Sequence, residues 1–130
     1  MVYSMSTMPL PIIYDIEDRK QFLDLLRQNP GVFIVKFGAD WCGPCQLIES
    51  MVIDQFHMMP DNVQCAKIDV DESFDIYAYL KSKKIVSSIP ALLCYIRGNN
   101  TYIPDDVVIG TNNCEILQFF DRCAKKGRDM

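Results

Sequence analysis

The stretch "FGADWCGPCQ", residues 37–46, holds the single tryptophan of the chain and two of its six cysteines. Two thiols separated by two residues admit three kinds of chemistry: a metal clamp, a structural disulfide, or a reversible dithiol–disulfide couple. A structural zinc needs four ligands, usually two such pairs or one pair with histidines. The other cysteines, at 65, 94, 114 and 123, are scattered, and the sole histidine is His57. Neither zinc nor an iron–sulfur cluster therefore finds its ligand set, and no metal site is expected. A purely structural disulfide gains little by closing so short a loop. Redox exchange fits the placement, because a cysteine opening a helix faces unsatisfied N–H groups and the positive dipole end, which favour thiolate over thiol. In that reading Cys42 attacks a substrate disulfide, and Cys45, about one turn later, resolves the mixed disulfide. Pro44 suits the first helical turn, where its missing N–H costs little.

The elements that must position the pair follow from periodicity. "VFIVKFG" (32–38) is a nearly continuous apolar run of strand length, the pattern of a central strand covered on both faces. After it, Leu47, Ile48, Met51, Val52 and Phe56 recur at helical spacing, so Cys42 or Gly43 opens an amphipathic helix. Upstream, "IIYDI" (12–16) reads as a short strand, and Phe22, Leu25 and Leu26 as the inner face of a helix ended by Asn29-Pro30-Gly31. Downstream come a strand at "VQCAKIDV", a helix with Phe74, Tyr77 and Leu80 inward, and a strand at "ALLCYIR". A strand-like return follows at "YIPDDVVIG". Asn112 or Asn113 caps a last helix that buries Ile116, Leu117, Phe119, Phe120 and Cys123. Early βαβ alternation implies parallel pairing and the late hairpin an antiparallel edge. The fold class is thus α/β, a mixed central sheet of four to five strands flanked by about four helices.

The 130 residues fit one domain: 1–9 read as a disordered segment and 10–127 as the domain. A formal charge of −4 argues against general affinity for nucleic acid. No run of about twenty apolar residues suggests a membrane span, and the N-terminus makes a poor signal peptide. The expectation is a reducing, cytoplasmic compartment in which most thiols stay free. Cys65 and Cys94 fall in strands as small core residues, while Cys114 beside the cap and Cys123 are too far out of phase to pair.

"WCGPC" (41–45) and the Ile-Pro turn in "SSIPALLCY" (87–95) together resemble the thioredoxin family over nearly the whole chain. The resemblance implies the thioredoxin fold, an active site shaped by Trp41, Gly43 and Pro44, and a cis Ile89–Pro90 bond opposite the cysteines. It implies a substrate-binding surface of Trp41, Ile89, Pro90 and Gly110. It also implies a monomer that reduces disulfide-containing protein substrates, is recharged by an NADPH-dependent flavoprotein thioredoxin reductase, and carries no cofactor of its own. Two other classes stay open: an adaptor module on the same fold, and a disulfide isomerase or oxidase.

One departure from the family stands out. Its members usually bury an aspartate beneath the second cysteine, in the strand before the motif, and that position here is Lys36. Lys36 can snorkel to solvent, lie buried and neutral as a base, or stay charged and lower the pKa of Cys45. Lys67 resembles the lysine that accompanies the family's aspartate, and Asp69, two residues on, shares its strand face and is expected to relieve repulsion between the two lysines.

Overall fold

A computed structural model describes residues 9–130. The disorder expected over 1–9 therefore falls, apart from Pro9, on residues outside the described range. The elements run α1 (Arg19–Arg27), β1 (Val32–Gly38), α2 (Gly43–His57), β2 (Val63–Asp69), α3 (Phe74–Ser82), β3 (Ala91–Ile96), β4 (Asp106–Ile109) and α4 (Asn113–Arg128).

The strands form one mixed sheet in the order β2-β1-β3-β4. β1 pairs parallel to β2 and antiparallel to β3, and β4 closes the edge antiparallel to β3. Every residue of β1 is buried, as its uninterrupted apolar pattern requires of a central strand. Alternation divides its side chains between two cores. Phe33, Val35 and Phe37 join Phe22 and Leu26 of α1 and Ile76 and Leu80 of α3. On the other face, Val32 and Ile34 join Ile48, Val52 and Phe56 of α2 and Ile116, Phe119 and Phe120 of α4. Lys36 continues the α2 side of this alternation, so the lysine points at the helix that carries the cysteines.

Several expectations need correction. "IIYDI" is not a strand: only Ile13 bridges, its N–H donating to the Cys65 carbonyl and its own carbonyl accepting from Lys67 N–H. Pro9 and Pro11 supply no N–H to extend that ladder, and the chain then turns away to let Asp18 cap α1 by accepting the Gln21 N–H at 2.9 Å. Leu47 is 81% exposed, because α2 buries the stripe Cys45, Ile48, Val52 and Phe56, and Leu47 lies beside it. Phe74 is 67% exposed, and Ile76 takes the inward place with Leu80. The cause is Ser73, whose buried hydroxyl donates to the Ile16 carbonyl and sets the phase of α3. Leu117 likewise flanks the buried stripe of α4. The last strand is shorter than "YIPDDVVIG", since Pro104 cannot donate to a ladder and Asn99 gathers residues 101–105 into a turn. Asp106 is occupied by Arg122, with Nε 2.7 Å away, and by Lys126.

Candidate active site

The cysteine pair lies where β1 ends and α2 begins. Cys42 is the N-cap of α2, with extended backbone, and its sulfur accepts the Cys45 N–H at 3.2 Å. Gly43 and Pro44 then occupy the first helical positions, where proline needs no hydrogen-bond donor. Cys42 and Cys45 are joined as a disulfide with 5.2 Å between their Cα atoms. Cys42 is 5% exposed and Cys45 1%, so both residues are buried and Cys42 is slightly the more open.

Loops from three other elements complete the site. Trp41 is 69% exposed and held by its indole N–H, which donates to the Asp71 carboxylate at 2.7 Å from the loop after β2. The Ile89–Pro90 bond is cis, and Ile89 packs against the apolar cluster that contains both cysteines. Gly110 adopts φ +106, a left-handed conformation that suits glycine, and its N–H donates to the Pro90 carbonyl at 2.9 Å. Trp41, Ile89, Pro90 and Gly110 thus sit on segments tied to the cysteine loop or to one another.

Beneath Cys45 the electrostatics differ from the sequence expectation. Lys36 is 1% exposed and does not snorkel. Its ammonium pairs with Glu49 Oε1, and Lys67, its neighbour across the β1–β2 register, pairs with Glu49 Oε2 at 2.5 Å. Burial alone would raise the Glu49 carboxyl, but hydrogen bonds and charge from both lysines outweigh it and hold the group below the ordinary carboxylate value. The expected counter-ion, Asp69, does something else: its Oδ1 accepts the N–H groups of Asp71 at 2.8 Å and Glu72 at 3.3 Å, fixing the turn that presents Asp71 to Trp41.

A cavity of about 20 Å³, the size of one water molecule, is lined by Lys36, Gly38, Asp40, Cys45, Glu49, Lys67 and Asp69, among others. Gly38 makes the juxtaposition close. A Cβ there would stand 3.4 Å from the Cys45 sulfur and 3.8 Å from Lys36 Cε. Sequence reasoning missed Glu49 and Asp71. The signal for Glu49 was available, since it follows Cys45 by four residues and so shares its helix face. Nothing local marked Asp71.

Thiols outside the pair are separated from this chemistry. Cys65, Cys94 and Cys123 are buried, and Cys114 is exposed. Burial pushes the Cys65 thiol well up. Contact with Cys94, together with burial, does the same for Cys123.

Residues 14–122 match the family model described as Thioredoxin. Thioredoxin-2 of Saccharomyces cerevisiae is 30% identical over 107 residues, which cover 82% of this chain and 94% of that protein. Thioredoxin-T of Drosophila melanogaster is 28% identical over 115 residues, covering 87% of this chain and 68% of that one. Among solved structures, Trichomonas vaginalis thioredoxin superposes with a TM-score of 0.69 at 27% identity, covering 86% of this chain and 96% of its own.

Proposed function

The chain belongs to the thioredoxin family, and from that premise we propose the division of labour within its active site. It is a thiol–disulfide oxidoreductase of the protein-disulfide reductase type, working through the Cys42/Cys45 pair. Cys42 attacks the substrate disulfide. Its place as the N-cap of α2, at the positive end of the helix dipole, is the observation that carries this assignment. Cys45, buried one turn inside, resolves the mixed disulfide. Gly43 and Pro44 set the helix start between the sulfurs. Trp41, Ile89, Pro90 and Gly110 form the surface on which an extended substrate segment docks, the Ile89 backbone pairing with it in the manner of an added strand.

Residues 10–127 act as a single catalytic domain, a reading supported by the family match over 14–122. The protein works in the cytoplasm as a monomer and is recharged by an NADPH-dependent flavoprotein reductase. Supporting this are four cysteines left unpaired and, among the described residues, no helix long and apolar enough to cross a membrane.

The test is a Cys45→Ser trap. With the resolving thiol removed, Cys42 should retain substrate proteins as stable mixed disulfides, recoverable with reductant and identifiable by mass spectrometry. Capture through any other cysteine, or none at all, would refute the assignment.

A further inference from the structure

We propose that Lys36, Glu49 and Lys67 act as one cationic unit beneath Cys45, which makes the resolving thiol easier to ionise. The inference rests on the reading of Cys45 as the resolving thiol and concerns how that thiol becomes a nucleophile.

Two ammonium groups share one carboxylate, and both of its oxygens are engaged, Oε1 by Lys36 and Oε2 by Lys67. The unit therefore carries a net charge of +1. A carboxylate so engaged is a poor base, and the ion pairs hold Glu49 ionised. Two further acids line the same cavity and temper the unit's positive charge: Asp40, exposed on the loop, and Asp69, whose Oδ1 accepts two backbone N–H groups. Asp71, beyond them, is held by Trp41. No neutral imidazole lines the cavity, since the lone histidine, His57, ends α2 far along the helix.

Geometry then ties the unit to the sulfur. Glu49 stands one helical turn from Cys45, and Gly38 leaves the Lys36 stem and the Cys45 sulfur on either side of one small void. Lys36 is almost wholly screened from water, so its field reaches the sulfur through protein rather than solvent, where a charge acts more strongly. A cation so placed favours thiolate over thiol.

In the resolving step, the Cys45 thiol loses its proton to solvent. The thiolate attacks the Cys42 sulfur, the Cys42–substrate S–S bond breaks and the Cys42–Cys45 bond forms. The substrate sulfur leaves with the electron pair and takes a proton from water. Across the cycle, two thiols of the enzyme are oxidised and one substrate disulfide is reduced to two thiols.

The test is a titration of Cys45 in the reduced full-length chain, by NMR of its labelled β-carbon, with Cys42→Ser removing coupled titration. Lys36→Met and Lys67→Met each leave a neutral ion pair, and each should raise the Cys45 pKa by about one unit. Glu49→Gln leaves the positive charge in place or increases it, and should not raise that pKa. This asymmetry is one that a purely structural role would not produce. Lys67 is a third exposed, so Lys67→Met keeps the test available if Lys36→Met fails to fold. An unchanged Cys45 titration in the lysine variants would overturn the proposal, and so would a raised pKa in Glu49→Gln. The titration needs no substrate, so failure of the Cys45→Ser trap would count against the catalytic assignment alone.

Discussion

Glu49 concentrates the physical interest of the site, because one carboxylate pairs with two lysines, one of them fully buried. Breaking a buried pair by removing one partner strands the other charge in a medium that solvates it poorly. Glu49 is itself partly solvated, which tempers the effect. Glu49→Gln should therefore cost roughly 1–3 kcal/mol at neutral pH. The dependence on pH has a definite sign. A carboxyl lowered in the folded state stabilises fully above its unfolded value, about 4.3, and loses that contribution as pH falls through the folded value. In urea titrations, the stability gap between the parent chain and Glu49→Gln should be widest at neutral pH and shrink towards pH 3. A gap independent of pH would remove the ion pairs as its source. At this scale the sequence was half legible. "WCGPC" named the two reacting thiols by type and spacing, and Lys36 was visible as an anomaly. Its partner was not found because the strand-face argument led to Asp69, whereas the counter-charge comes from α2, across the interface between layers.

The starts of α2 and α4 were readable, because a helix start is a local device written in one or two residues. Asp18 and Asn112 each accept the N–H three residues on, at 2.9 Å. Asp18→Ala should lower stability by about 1 kcal/mol, read from urea denaturation, with disulfide reductase activity retained, since α1 packs on the sheet face opposite α2. Full activity with no loss of stability would mean that the cap contributes nothing here. Helix phase was less readable. Phe74 stands at the first position of α3 and by hydrophobicity alone belongs inside, but the Ser73 anchor rotates Ile76 and Leu80 inward instead. That anchor joins residues 57 apart in sequence, and no window along the chain contains it. The proline-limited bridge at Ile13 is a similar case: its apolar pattern suits a strand, but the ladder has no donors to grow on.

For the whole molecule, the sheet separates one reactive pair from a set of quiet thiols. In the oxidised chain Cys65, Cys94 and Cys123 are buried and only Cys114 is exposed. A thiol reagent should modify Cys114 rapidly and the other three only on unfolding, as peptide mapping would show. Rapid modification of Cys94 or Cys123 would contradict the buried placement of β3 and α4. The alternation of strands and helices was enough to set the layers and mixed pairing. The convergence of Trp41, Ile89 and Gly110 on one end came from loops whose spatial order the sequence expressed only through family likeness. The central claim is that the Cys42/Cys45 pair donates electrons to protein disulfides. Its most direct measurement is the reduction potential of the pair, equilibrated in dithiothreitol redox buffers and followed through Trp41, the only tryptophan. A potential near about −270 mV is the predicted result, and one of about −180 mV or higher would contradict the account.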